Sequence, residues 1–544
     1  MDDKKEQRIL VISIDGATFT LIRPWAEKGY LPNLEKLLKE GISGNLESTI
    51  PPITGPAWSS FQTGKNPGQH GIFDWLRRKK DGYKLEPINS NSIKHKTLWE
   101  IIGFQNRKAG VINVPVTYPP KPVNGFLVSG MLTPSKESDF TYPSELKKEK
   151  EFVDYEINPR MRFDPNRVER WIKGLKNMVI KRKKLALLLM EKFEWDFFMV
   201  HFTATDLVQH RMWHTLVNES NPILEIYKEV DKAIGEIIGG VSENVCIFVI
   251  SDHGFGPLYQ NIYLNNWLMK EGYLNLKRDF ITRVKKTMYK FNITPKNIYN
   301  LLGKIGLLGR GLTLGKGQRY NLVSRFFLSA DNIDWDNTKA YSYGNIGQIY
   351  INTKGREPSG CVEEQDKDKL IDEIIAKLRR TRNPETGDFL FEKIYKKEEI
   401  YSGQNINNAP DILVLPKNME SMAIGVSEFV SNKIVEPSFT FTGGHRLEGI
   451  FIAKGKGIKS GSWIDNARII DLAPTILYCM GLAIPEDMDG KVINSIFTED
   501  FLRENKMNYM ATKETDKKID NREGFTEAEE DKIKKRLKDL GYVS

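Results

Sequence analysis

The sequence predicts an α/β protein: a doubly wound, mostly parallel sheet flanked by helices, with helical insertions. Three observations predict it. First, near-continuous apolar runs recur as RILVISIDG, KAGVINV, DFFMVHF, NVCIFVISD, PDILVLP and GIFIAKG. Runs of this kind mark strands buried on both faces, as in parallel sheets. Second, helical patterns separate the runs, and that alternation over a long chain builds a doubly wound sheet. Third, the first and fourth runs end in Asp15 and in the Asp252–His253 pair. Ligands of such sheets bind beyond the carboxyl ends of the strands.

The elements follow in order. After the first strand, Pro32 and Asn33 begin a helix, Leu34, Leu37 and Leu38 give it an apolar face, and Gly41 closes it. The segment PPITGPAWSSFQTG predicts a helix from Gly55 to Thr63, with Pro56 in its first turn and Gly64 beyond its end. Residues 131–190 carry a polar-to-helical segment ending in the amphipathic KNMVIKRKKLALLLMEKF. Residues 258–340 break the rhythm: they are basic, helical in pattern and Gly-punctuated, and read as an insertion or cap. Residues 1–257 and 341–500 are then expected to form one core. Residues 501–544 form a charged tail, in which FTEAEEDKIKKRLKDLGYV predicts a terminal helix. Its capping box is Thr526 with Glu529, its stop is Gly541, and Ile533, Leu537 and Leu540 are its docking face.

Composition bounds the answer. At 544 residues the chain exceeds the size at which one core usually stops growing, and 40% apolar residues suffice for a large core. The net charge of +9 is spread among 80 Lys and Arg and 71 Asp and Glu, which predicts a solvated, Lys-rich surface with general attraction for anionic substrates. No dense basic stripe or aromatic–basic motif points to nucleic acid. The three cysteines, Cys246, Cys361 and Cys479, are far apart and odd in number. Cys246 and Cys479 lie in apolar runs and are expected as buried thiols, with no disulfide framework, which fits a reducing compartment. No long apolar stretch precedes the first strand, and charge interrupts the others within about 18 residues. A soluble cytoplasmic protein without signal peptide or membrane span is the expectation.

Seven residues stand out chemically: Asp15, Thr54, Asp206, His210, Asp252, His253 and His445. Thr54 lies at a helix N-terminus, where free N–H groups favour an anion; the plainer reading is an N-cap. Asp206 and His210 are four apart, so one helical turn places both on one face. Asp252, His253 and Gly254 close an apolar strand, and the glycine lets the backbone turn sharply. His445 follows two glycines in FTGGHRLEGIFIAKG. His201 alternates with strand residues and is expected in the core behind the site, and His214 as a partly exposed side chain. Three carboxylates, three imidazoles and a hydroxyl suffice for two divalent metals, and such sets take zinc, manganese or iron.

These motifs, in this order, resemble the alkaline phosphatase superfamily and, within it, the type I phosphodiesterase/nucleotide pyrophosphatase family. The resemblance runs from Ile9 to Ile496 and rests on the strand with IDG, PNLEKLLKEG, the T-x-P segment leading to TGKNPGQHGI, TDLVQH, SDHG, GGH, and DLAPTILYCMGL followed by DMDG. It implies an alkaline-phosphatase-like catalytic core. One metal is held by Asp15, Thr54, Asp252 and His253, the other by Asp206, His210 and His445, both zinc in the first instance. Thr54 is the nucleophile and forms a covalent intermediate that water hydrolyses. The implied activity is metal-dependent hydrolysis of a phosphate ester, in the first place a phosphodiester. A phosphomonoesterase, a phosphonate hydrolase or a head-group phosphotransferase is the alternative. A sulfatase would need a C/S-x-P-x-R context that ITGPAW lacks, and a non-catalytic scaffold would be expected to have lost ligands. Two departures bear on substrate. Members acting on nucleotides carry an aromatic residue after the nucleophile, where this chain has Gly55. They carry an Asn after the HGI segment, where HGIFDW puts Trp75. Trp75 is expected to line an apolar part of the pocket or to be core. Asn113 is expected to replace the missing amide or to serve as a turn residue before Pro115. Asp471 reads as a helix cap.

Overall fold

The computed structural model describes residues 7–298, 325–511 and 524–540, apart from 219, 345, 426–428 and 439–440. Nine strands form the main sheet: β1 (Arg8–Ile14), β2 (Ile42–Glu47), β3 (Ala109–Ile112), β4 (Gly125–Val128), β5 (Thr141–Tyr142), β6 (Phe197–Phe202), β7 (Val245–Ile250), β8 (Glu448–Lys454) and β9 (Ser462–Arg468). Their spatial order is β9-β2-β8-β7-β1-β6-β3-β4-β5. Within this sheet β5 and β8 run against the other seven strands. The doubly wound, mostly parallel sheet is therefore present.

Side-chain alternation along β1 explains why the runs are apolar throughout. Leu10, Ile12 and Ile14 enter one core layer, and Ile9 and Val11 enter the other. The first layer is covered by α1 (Pro32–Glu40), α3 (Val168–Lys192), α4 (Ala204–Met212) and α5 (Pro222–Gly239). The second is covered by α2 (Thr54–Thr63) and α6 (Leu472–Cys479). Helix α1 has its expected bounds, and the Gly41 N–H donates to Leu37 O at 2.9 Å. Ser13 of β1 aligns with His201 of β6 and Ile250 of β7, so the chain leaves all three strands at one edge. Cys246 and Cys479 are buried free thiols.

Two expected strands differ from a uniform parallel sheet. GIFIAKG forms β8, but antiparallel, between β7 and β2. PDILVLP forms Ile412–Pro416 in a separate antiparallel sheet with Ala340–Ser342, Gln348–Ile351 and Phe391–Lys396. A short buried run carries no mark of direction or of sheet membership. Around that second sheet, Ile262, Trp267 and Leu268 bury with Ile349, Ile374 and Val414 in one apolar cluster. The apolar residues of 262–289 share this cluster with residues beyond 340. Residues 299–324 of the expected insertion, and Gly541, lie outside the described residues.

The terminal helix α7 (Glu527–Leu540) has its expected capping box. Glu529 N donates to Thr526 Oγ1 at 3.3 Å, and Thr526 N donates to Glu529 Oε2 at 3.0 Å. Ile533 and Leu537 are wholly buried in the first core layer, and Leu540 packs beside them. Among the described residues no helix is long and apolar enough to cross a membrane.

Candidate metal centre

The sheet edge gathers all seven residues. Asp15 follows β1, and Asp252 and His253 follow β7. Thr54 is the first residue of α2, whose start is fixed by extended Ile53 and whose end is fixed by left-handed Gly64 (φ 65°). Asp206 and His210 lie one turn apart on α4. His445 comes from far along the chain, on a strand (Gly443–Arg446) that pairs antiparallel with Gly254–Pro257; Phe255 faces His445 in that ladder. The ladder places His445 over His253, with ring centroids 3.7 Å apart. All seven side chains are buried, and His445 is the most accessible at 9%.

The ligand atoms form two adjoining clusters. In the first, His253 Nε2 lies 3.5 Å from Asp15 Oδ1 and 3.4 Å from Asp252 Oδ2, and 3.2 Å from Thr54 Oγ1. In the second, Asp206 Oδ1 lies 3.4 Å from His210 Nε2 and 3.3 Å from His445 Nε2. The two imidazole Nε2 atoms are 3.0 Å apart. His253 Nε2 stands 4.0 Å from Asp206 Oδ1 and so joins the clusters. Taken by spacing alone, Asp15, Asp252 and His253 make one candidate cation set, and Asp206, His253 and His445 another.

The donor set fits divalent cations. Each imidazole is tethered through Nδ1 to a backbone carbonyl: His253 to Gly254 O at 3.0 Å, His210 to Gly443 O at 3.1 Å and His445 to Pro52 O at 2.7 Å. A carbonyl only accepts, so each ring keeps its proton on Nδ1 and turns the Nε2 lone pair inward, the tautomer a metal needs. The carboxylates are crowded. Burial, with the charges of Asp252 and Asp206, pushes Asp15 well above its ordinary range. Burial and Asp206 push Asp252 up to about 7. Burial acts on Asp206 in the same direction, but His210 and His445 outweigh it and hold that group well below its ordinary range. Burial and the neighbouring His445 hold His253 well below the usual imidazole range. Asp15 Oδ1 and Asp252 Oδ2 have no hydrogen-bond donor among the described residues, although both are buried. Buried anionic oxygens without donors are costly unless a cation meets them.

A layer of residues behind the ligands holds them. His201 places Nε2 3.2 Å from Asp15 Oδ2 and Nδ1 3.0 Å from Ser13 Oγ, which is the supporting place expected of it. Thr205 Oγ1 donates to Asp15 O at 2.6 Å, and Gln209 Nε2 donates to Gly16 O at 2.8 Å. Sequence reasoning missed Arg182. This wholly buried guanidinium donates to His201 O and Thr203 Oγ1, and to the carbonyls of Glu156 and Ile157. It sits inside KRKKLALLLM, where neighbouring surface charges conceal it. Asn113 belongs to the same network, not to the cleft. Its amide meets Tyr155 and, with its oxygen turned to the guanidinium, Arg182 Nη1 and Nη2 at 3.0 and 3.1 Å. Asn113 is 1% exposed and its φ of +64° suits an asparagine. His214 is exposed, as expected; Asp471 stands at the start of α6 but makes no side-chain capping bond there, its carboxylate accepting instead from Arg468 Nε and Nη2 at 3.0 and 2.8 Å and from Lys491 N at 2.8 Å.

An apolar cleft opens beside the second cluster. Ile53, Trp75, Leu258, Ile346 and Met422 line it together with His210 and His445. Trp75 and Gly55 are linked: a Cβ on Gly55 would meet Trp75 Cε3 at 3.3 Å. The indole occupies the space that the missing side chain leaves next to Thr54.

The mostly parallel sheet thus gathers carboxylates and imidazoles beside a buried threonine at its carboxyl edge. A family model described as type I phosphodiesterase/nucleotide pyrophosphatase matches residues 9–421. The chain belongs to that family. Among solved structures it is similar to an inactive form of murine ectonucleotide pyrophosphatase/phosphodiesterase 5 in complex with AMP, at 13% identity and a TM-score of 0.49, over 88% of this chain and 96% of that one. No curated protein matches the sequence.

Proposed function

We propose that this chain is a metal-dependent phosphohydrolase that cleaves a phosphodiester through a covalent intermediate on Thr54. The observation that carries the reading is the placement of Thr54 Oγ1, 3.2 Å from His253 Nε2 at the N-terminus of α2. Two divalent cations, zinc by the ligand chemistry with manganese or iron as alternatives, would be held by Asp15, Thr54, Asp252 and His253 and by Asp206, His210 and His445. They would supply charge stabilisation and a more acidic threonine hydroxyl. The Thr54 hydroxyl attacks phosphorus, the ester bond to the leaving alcohol breaks, and water then hydrolyses the threonine ester. The first N–H groups of α2 face the phosphoryl oxygens and offset their growing charge. Trp75 covers the nucleophile's neighbour and forms an apolar wall for the ester's organic group, so a nucleotide is not the favoured substrate.

The test is turnover of bis-p-nitrophenyl phosphate and p-nitrophenyl phosphate by protein loaded with zinc or manganese. Thr54→Ala is expected to lower kcat by at least on the order of 10³-fold with the metals still bound. Lack of metal-dependent turnover of either ester overturns the hydrolase reading, and unchanged turnover in Thr54→Ala overturns the nucleophile. A faster monoester would reassign the chain to phosphomonoester chemistry.

A further inference from the structure

Beside α4, on the face next to that of the candidate metal ligands, lies a second cleft, between α7 and residues 159–163, with a volume of about 270 Å³. That is near the lower end of the roughly 300–1,000 Å³ typical of small-molecule sites. Among the described residues its walls carry six cationic side chains, Arg160, Arg162, Arg211, Lys532, Lys535 and Arg536, against the single carboxylate of Asp539. An adjoining hollow shares Arg160 and Trp171 with it and adds Arg170, Lys173 and Lys181 across Glu156.

The internal pairs leave a surplus of charge. Arg162 takes Asp539 at 2.6 Å, and Arg160 and Lys181 share Glu156 at 3.0 and 2.7 Å. Arg211 donates to the Asp539 backbone carbonyl at 3.0 Å and lies over Phe441 at 4.1 Å. Arg536 donates to two more backbone carbonyls, Thr133 O and Pro134 O. Burial lowers the pKa of Arg536, and among the described residues no carboxylate counters that effect. Largely buried guanidinium groups normally meet a carboxylate or a phosphate, whose planar oxygen pairs match their donor fork. A basic cleft of this size, built around such a group, fits one class of occupant.

We propose that this cleft binds a phosphate-bearing anion, at a site separate from the metal centre. Arg536 and Arg162, although engaged with the Thr133 and Pro134 carbonyls and with Asp539, supply positive charge to the wall, and Lys532 and Lys535 supply point charges at the mouth. Arg211 immediately follows the metal-cluster residue His210, and Leu207 lines the cleft one residue beyond Asp206. A bound anion therefore touches the helix that carries two of the candidate metal ligands and ties it to α7. A free phosphate and a lipid phosphate head group share this chemistry.

The experiment is a calorimetric titration of the metal-loaded full chain with inorganic phosphate, beside co-sedimentation with phosphatidylcholine vesicles with and without phosphatidate. Lys532→Gln with Lys535→Gln alters only side chains at the mouth and spares the α7 packing; Arg536→Gln is the second variant. Either is expected to weaken anion binding at least about tenfold, while Thr54→Ala retains the site. Retention in Thr54→Ala keeps this result independent of the hydrolase reading. Phosphate binding that the cleft variants weaken identifies a free anion as the ligand. Phosphatidate-dependent sedimentation that they abolish identifies a lipid. Wild-type behaviour of both variants in both arms, or no binding in either, overturns the proposal.

Discussion

Arg182 shows how much one residue can hold at a distance from the reacting atoms. It donates to the carbonyl of His201, and the His201 ring meets Asp15 Oδ2. Arg182→Met removes donors from four buried acceptors, the carbonyls of His201, Glu156 and Ile157 and the Thr203 hydroxyl, and each unmade bond costs about 1–3 kcal/mol. The expected result is a loss of about 3 kcal/mol or more in denaturant unfolding, with kcat falling more than KM changes. Asp74 offers a pH test. It is buried beside Trp75, its Oδ2 meets no donor among the described residues, and burial raises its pKa to about 7. The folded-state value exceeds the ordinary 3.8, so the group binds a proton more tightly when folded. Its contribution to stability is full below about pH 4 and is lost as pH rises through about 7. Asp74→Asn should flatten the fall in Tm over that window; an unaltered pH profile would refute the assignment. At this scale the seven gathered residues and the supporting His201 were legible, and the other supports were not. Asp15, Asp252 and His253 stand at strand ends that hydrophobic patterning reveals. Arg182 and Asn113 take their roles from a crossing of α3 behind β6, and no local pattern encodes a crossing.

Among the elements, α7 was read most fully from sequence, because a capping box and an apolar i, i+4 pair are both local signals. Its buried Ile533 and Leu537 press on the layer that also contains Leu207 of α4. Ile533→Ala should cost about 2–5 kcal/mol by thermal or denaturant unfolding, the usual range for a buried large-to-small change. A cost below about 1 kcal/mol would mean that α7 does not dock as described. The strands were harder to read. GIFIAKG and PDILVLP were correctly seen as strands, yet one runs antiparallel and the other belongs to another sheet. Pairing direction is set by connections and by partners hundreds of residues away, whereas a run of five or six apolar residues records only burial. Strands β2 and β9 escaped notice for the opposite reason: ISGNLE and SWIDNAR mix polar residues into their runs.

At the scale of the molecule, the crowded carboxylates predict that metal and stability are coupled. Removing bound metal leaves Asp15, Asp206 and Asp252 repelling one another in a buried site. A ligand present at a hundredfold excess over its Kd stabilises a fold by about 2.7 kcal/mol. Chelation should therefore lower Tm by several degrees, and zinc or manganese should restore it. A Tm indifferent to chelator and to added metal would contradict the fit of the donor set. The global class was legible because alternating strands and helices admit few arrangements. The extent of the second apolar cluster was not, since its residues run from Ile262 to Val435 and helical patterns alone do not show which stretches complete one another.

The ladder that pairs Phe255 with His445 has a consequence in time. As the chain is synthesised from its amino end at roughly 5–20 residues per second, Asp15 emerges first and His445 last. For tens of seconds the nascent polypeptide holds six of the seven donors and lacks the imidazole that closes the second cluster. On the proposed reading, metal loading of the second cluster would wait until the return strand has threaded back beside Gly254–Pro257. With two metals in place, a truncated or mispaired chain would present an incomplete chelate, and only a correctly closed one would hold both ions.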